Sequence, residues 1–95
     1  MKRFPKPQDI KIFNTTLERM VPTDTGIAYA WHRSLRDVPA WRAMGKTNGW
    51  DWTADVYAGN FFVVQVGTRP SETVDNLRSL VSYLARMVGA KSSNR

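Results

Sequence analysis

The clearest alternation of apolar and polar residues lies between positions 50 and 57. Trp50, Trp52, Ala54 and Val56 fall on one face of an extended chain, because successive side chains of a strand point to opposite sides. The pattern predicts a β-strand with one buried face. The other face of this strand carries Asp51, Thr53, Asp55 and Tyr57.

A second strand is predicted at residues 61–66, which are almost continuously apolar and rich in β-branched and aromatic side chains. Such a run is typical of a central strand that is covered on both faces. Between the two strands, Ala58 is followed by Gly59 and Asn60, which tolerate positive φ angles and can reverse the chain in a short loop. We therefore predict a β-hairpin as the scaffold of the fold.

Two earlier segments extend this hairpin. Residues 27–33 alternate, with Tyr29 and Trp31 on one face and small alanines on the other. We expect a helix to cover the alanine face, because small side chains allow close packing.

Residues 40–46 predict another strand, anchored by Trp41. It is followed by Asn48-Gly49, the strongest short hairpin signal that a sequence offers. The strands together predict an antiparallel meander of three to four strands.

Helical spacing appears at both ends of the chain. The first amphipathic helix is predicted from Pro7 to the residues before Pro22, and a short strand at residues 10–13 is the alternative. Its apolar positions are Ile10, Phe13, Leu17, Met20 and Val21.

The second helix is predicted to follow the junction at residues 67–71, with Thr68 or Ser71 as its cap and Gly89 as its stop. Glu72 and Asp75 are expected in its first turns, where the helix dipole favours acidic side chains. Its apolar face is predicted to contain Val74, Leu77, Val81, Leu84 and Val88, and to be widened by Leu80 and Met87.

These elements predict a single α+β domain at residues 7–89, with the C-terminal helix packed on the sheet. A chain of 95 residues with 42% hydrophobic residues can bury one modest core. We expect residues 1–6 to form a flexible basic arm and residues 90–95 to form a flexible tail, since both are short and polar.

Charge is the compositional outlier. Fourteen Lys and Arg residues against eight Asp and Glu residues give a net charge of +6, which favours a polyanionic partner. Residues 31–46 hold four basic residues and one acidic residue, Asp37, whereas the charged residues of the segment 47–75 are mostly acidic. The basic segment, and not the hairpin at 50–66, is the predicted contact region.

Motifs for catalysis are not found in the sequence. There is no cysteine, His32 is the single histidine, and no glycine spacing matches a phosphate-binding loop. Asp51 and Asp55 lie on one strand face about 13 Å apart, which is too far to share an ion or to act as an acid-base pair. We expect no enzymatic activity, no metal site and no cofactor.

Four tryptophans, Trp31, Trp41, Trp50 and Trp52, lie among basic residues in the central third of the chain. Aromatic rings can stack on bases while cations bind phosphates. An alternating sheet does not easily bury four such rings, so we predict that at least one is exposed for a partner. The predicted binding residues are Arg33, Arg36, Trp41, Arg42, Lys46 and Trp50.

The strand-to-helix step also resembles parts of known families. The first strand with Trp52, Ala54 and Val56, followed by Val64, Val66, Gly67-Thr68 and a helix that contains Glu72, resembles the three-strand-plus-helix DNA-binding domains of the integrase arm-binding type. Gly67-Thr68 and Glu72 with Asn76 also resemble the strand-to-helix step of HicB-type antitoxins. Each resemblance covers about a third of the chain and assigns it to neither family. It implies a sheet-plus-helix unit that binds DNA or protein.

Our leading hypothesis is a small basic module that binds DNA or RNA. The alternative is a small accessory or inhibitor protein, of the kind that phages and mobile elements encode, which binds a host protein through Trp and Arg. A third hypothesis is a homodimer whose hairpin pairs at an edge. The sequence has no run that predicts a signal peptide or membrane span, so we expect a cytoplasmic protein.

Overall fold

The computed structural model of the chain describes residues 4–89. Part of the predicted arm, residues 1–3, and the whole predicted tail, residues 90–95, lie outside the described residues. The elements are α1 Pro7–Met20, β1 Ala28–Arg33, β2 Pro39–Thr47, β3 Trp50–Tyr57, β4 Phe61–Val66, β5 Glu72–Val74 and α2 Leu77–Val88. The helix predicted at the N-terminus is confirmed, and the alternative strand at residues 10–13 is wrong.

The five strands form one antiparallel sheet in chain order, from β1 at one edge to β5 at the other. This confirms the predicted α+β fold and adds one strand to the predicted meander. Asn48 and Gly49 have positive φ angles of 53° and 84°, as a two-residue hairpin turn requires. The Asp24 carboxylate stabilises this turn by accepting hydrogen bonds from the backbone N–H groups of Asn48 and Gly49.

The added strand corrects the predicted start of the second helix. Glu72 and Asp75 were expected in the first helical turns, but Asp75 precedes the helix, and Glu72–Val74 pairs with β4 and places Val74 opposite Phe62. The cap is Asn76, not Thr68 or Ser71, and its side chain accepts a hydrogen bond from the backbone N–H of Ser79. Two β-branched residues before a strong capping residue favour a strand that ends where the helix begins.

Both helices pack on the same face of the sheet, which we call the helix face. Its buried residues include the centre of every inner strand and one stripe of each helix. Phe13 of α1 stacks on Phe62 of β4, with the ring centroids 6.0 Å apart. The main members of the core are Phe13, Leu17, Ala43, Trp52, Ala54, Val56, Phe62, Val64, Val66, Leu80, Leu84 and Val88.

The prediction about the alanine face of β1 is wrong. Tyr29 lies on the helix face, where its hydroxyl donates a hydrogen bond of 2.7 Å to Glu18 of α1. Burial and this hydrogen bond raise the pKa of the Tyr29 phenol. Ala28 and Ala30 lie on the opposite face and are exposed. A helix reaches this edge strand through a polar aromatic side chain rather than through close packing on alanines.

The start of the described chain contacts the sheet. The Phe4 ring packs edge-on against Trp31 with centroids 5.5 Å apart, and Pro5 is buried. Lys6 is the N-cap residue of α1, and its carbonyl accepts a hydrogen bond from the N–H of Ile10.

Trp52 fills the centre of the core and depends on a glycine opposite it. Trp52 is 2% exposed, and its indole N–H donates to the buried hydroxyl of Thr47. Gly45 is its direct partner across β2 and β3. A Cβ atom at Gly45 would lie 2.5 Å from the Trp52 ring, so the ring occupies the space of a side chain.

We expect Gly45→Ala to lower the free energy of unfolding by about 1 to 3 kcal/mol, because the added methyl group overpacks the Trp52 ring. Chemical denaturation measures the loss. The same substitution in a Trp52→Phe background should cost less, since the smaller ring leaves room. A Gly45→Ala protein as stable as the wild type would show that Trp52 does not pack on this glycine.

Candidate functional site

The second face of the sheet has no helix over it within residues 4–89, and we call it the open face. It is formed by the alternate side chains that point away from α1 and α2. Its members are Ala28, Ala30, His32, Ala40, Arg42, Met44, Lys46, Asp51, Thr53, Asp55, Tyr57, Phe61, Val63, Gln65 and Thr73.

An ion pair lies at the centre of the open face. Arg42 and Asp55 are direct partners across β2 and β3, and the guanidinium binds both carboxylate oxygens at 2.8 and 3.0 Å. The Asp55 side chain is 4% exposed, so Arg42 replaces most of the water that a carboxylate needs. The hydrogen bonds with Asp55 raise the pKa of Arg42. Arg42 also lies 3.2 Å from His32 Nε2, which accepts a hydrogen bond when that nitrogen carries no proton.

A depression of about 390 Å³ opens to solvent beside this ion pair. Polar side chains of four strands, β1 to β4, converge on it, together with the turn between β1 and β2. Its lining includes His32, Arg36, Arg42, Tyr57, Gln65 and Ser71. Hydrogen-bond donors and acceptors therefore meet next to an aromatic ring, as in sites that bind flat polar ligands.

Two aromatic rings stack at the end of the β3–β4 hairpin. Tyr57 and Phe61 are direct partners, and their ring centroids are 4.8 Å apart. Tyr57 is buried, and burial together with the nearby Asp55 carboxylate raises the pKa of its phenol. Phe61 is 42% exposed. The Phe61 ring therefore presents an apolar surface to solvent on the open face.

Phe61 is not among the predicted binding residues, because residues 61–66 were predicted to be covered on both faces. That prediction is wrong: Phe61 and Gln65 are exposed, while Phe62, Val64 and Val66 are buried. Tyr57 and Phe61 are direct partners across the three-residue loop, so the alternation of Asp55 and Tyr57 along β3 places Phe61 on the open face as well.

The predicted binding residues are divided between the two faces. Arg42 and Lys46 lie on the open face, and Arg36 borders it from the β1–β2 turn. Lys46 is exposed and lies opposite Asp51. Arg33 is exposed at the end of β1 and binds Asp37 at 3.3 Å.

The two predicted tryptophans lie on the helix face. Trp41 is half-buried, and its indole N–H donates to Asn14 of α1 at 2.9 Å. Trp50 is also half-buried and packs beside Gly67. Trp31 is 52% exposed, which confirms that at least one tryptophan is exposed, although it is not one of the predicted binding residues.

Among residues 4–89, no three His, Asp or Glu side chains converge in a way that could hold a metal ion. No helix in this part of the chain is long and apolar enough to cross a bilayer.

The fold and the open face define the chain as an α+β domain with a five-stranded antiparallel meander and both helices on one side. Comparison with protein families, curated proteins and solved structures finds no match to the chain.

Proposed function

We propose that the protein binds single-stranded nucleic acid, DNA or RNA, on the open face of its sheet. The observation that carries this proposal is the exposed Phe61 ring, which stacks on Tyr57 next to the depression lined by Arg36 and Arg42. Bases stack on exposed aromatic rings whatever their identity, while cations nearby contact phosphates. The neighbouring polar groups supply hydrogen bonds to base edges.

The width of the sheet argues for a single strand over a duplex. Five strands spaced about 4.8 Å apart span about 19 Å between the edge strands. The major groove of DNA is about 12 Å wide and admits a helix or a two-stranded ribbon. The open face is therefore too broad to enter a groove, whereas unstacked bases can lie flat on it.

The charge distribution also favours a binding mode in which base stacking contributes more than phosphate contacts. Within residues 4–89 there are ten basic and eight acidic residues, so the described part of the chain has a net charge of +2. Arg42 is already bound to Asp55 and Arg33 to Asp37. Arg36 and Lys46 are left as the main phosphate contacts. We therefore expect a shallow salt dependence, in which the slope of log affinity against log salt concentration is about 0.7 per contact.

Fluorescence anisotropy with labelled oligonucleotides tests the proposal. We expect single strands to bind more tightly than a duplex of the same length at low salt. Phe61→Ala should weaken binding by about 1 to 3 kcal/mol without changing the salt slope, because a stacking contact is lost. Arg36→Gln should reduce the salt slope by about 0.7, because one phosphate contact is lost.

Phe4→Ala is the matched control, because Phe4 is 55% exposed but lies against Trp31 of the helix face. It should leave the affinity unchanged. Absence of binding at low salt, or equal losses for Phe61→Ala and Phe4→Ala, would contradict the proposal.

A second candidate function is the binding of a protein partner. It is favoured by the exposed aromatic pair of Phe4 and Trp31, which lies beside Arg33 at the edge strand β1. Tryptophan and arginine are the residues most enriched in interface hot spots. Such an interface would depend weakly on salt and would be lost in Trp31→Ala but kept in Phe61→Ala.

A further inference from the structure

The two edges of the sheet differ in how they are protected. At one edge, β5 has only three residues, starts with Glu72 and follows Pro70. Short length, charge and proline are devices that keep an edge strand from pairing. The other edge, β1, has six residues and none of these devices except Arg33 at its last position. No strand within residues 4–89 pairs with its outer side.

Large aromatic side chains lie along this unprotected edge. Trp31 is 52% exposed, and its ring packs edge-on against Trp41, with the centroids 5.1 Å apart, and against Phe4. Phe4 is itself 55% exposed. The edge therefore combines backbone groups that pair with no strand of residues 4–89 and exposed apolar rings, which together suit an extended strand that carries its own apolar side chains.

We propose that β1 pairs antiparallel with β1 of a second copy of this chain. Residues 28–31 carry no ionisable side chain that is charged at neutral pH. Arg33 is the only Lys, Arg, Asp or Glu of the strand, and it lies at one end. In a two-fold antiparallel pair, the end of one strand meets the beginning of the other. With the two Ala30 residues as direct partners, each Arg33 lies beside Ile27 of the second copy on the helix face, far from the other Arg33.

The same symmetry brings the exposed rings together. Trp31 lies near the middle of the strand, so the two Trp31 side chains meet close to the two-fold axis on the helix face. An isologous pair of this kind requires a surface that is complementary to itself. An apolar strand with its single charge at the end meets that requirement.

The dimer would join two sheets into one of ten strands. Because the two-fold axis is perpendicular to the sheet, both helix layers remain on one side and both open faces lie side by side on the other. This inference goes beyond the proposed function, and its test contains no nucleic acid, so either can fail without the other.

Analytical ultracentrifugation from micromolar to millimolar concentration tests the dimer. We expect a monomer–dimer equilibrium that Ala30→Lys weakens by about fivefold, because two like charges would face each other near the axis. Thr73→Lys is the matched control. Thr73 and Ala30 lie on the same row of the open face at opposite edges, so the same charge is added at the β5 edge and should leave the dimer intact.

Trp31→Ala should weaken the dimer by about tenfold or more, as expected for a central interface tryptophan. Circular dichroism establishes that each variant is folded, which is expected because Ala30, Trp31 and Thr73 are all exposed. A wild-type protein that stays monomeric at millimolar concentration overturns the proposal and leaves β1 free for a different protein. A dimer that Thr73→Lys weakens as much as Ala30→Lys also overturns it, since the contact would then not be at β1.

Discussion

Replacing Arg42 with methionine should lower the free energy of unfolding by about 3 to 5 kcal/mol. The substitution keeps most of the side-chain volume but removes the guanidinium that binds both oxygens of Asp55. Asp55 is almost completely buried, so its carboxylate would be left without a partner in a poorly hydrated site. Urea denaturation at neutral pH measures the loss.

Arg33→Met is the matched control, because the same substitution removes an ion pair with Asp37 in which both side chains are more than half exposed. Exposed pairs contribute about 0 to 1 kcal/mol, so this variant should be nearly as stable as the wild type. Replacing both members of the buried pair, in Arg42→Met/Asp55→Val, should recover much of the loss. Equal losses of stability in Arg42→Met and Arg33→Met would contradict the claim that burial makes the Arg42–Asp55 pair more important than the exposed pair.

Leu84→Ala should lower the free energy of unfolding by about 2 to 5 kcal/mol. Leu84 is a fully buried residue of α2, so the truncation leaves a cavity in the core. Leu35→Ala removes the same atoms from a side chain that is fully exposed in the β1–β2 turn, and it should change stability very little. Denaturant unfolding of the two variants gives the difference directly. Comparable stabilities would mean that α2 is packed on the sheet differently.

The hairpin elements could be predicted because local chemistry determines them. Trp50, Trp52 and Val56 alternate with polar residues, and Asn48-Gly49 matches the positive φ angles of a two-residue turn. The register then follows by counting back from that turn, and it pairs Arg42 with Asp55. The sequence therefore contains the signal for the central ion pair, although Arg42 was predicted to contact phosphate.

Other features depend on contacts between distant segments. The spacing of Tyr29, Trp31 and the alanines shows that β1 has two different faces, but it does not show which one the helices cover. The contacts that mark the covered face join residues far apart in the sequence: Tyr29 hydrogen-bonds to Glu18 of α1 and Trp41 to Asn14 of α1. For the same reason, sequence spacing alone does not show that Trp41 lies on the helix face while Arg42 and Lys46 lie on the open face.

The short strand β5 shows a different limit. Val74 fits both the apolar face of a helix and a strand partner of Phe62, so a pattern alone does not decide between them. Asn76 decides it, because its side chain caps the helix at the next residue. A capping residue within a predicted helix is a signal to move the start of that helix.

The proposal that the open face binds single-stranded nucleic acid is tested most directly by nuclear magnetic resonance of side chains during titration with a short oligonucleotide. The side-chain amide of Gln65 and the Nε–H of Arg42 report on the open face, and the indole N–H groups of Trp41 and Trp52 report on the helix face. We expect the Gln65 and Arg42 signals and the Phe61 ring signals to shift while the two indole signals stay in place. Shifts confined to the indole signals, or no shifts at low salt, would contradict the proposal.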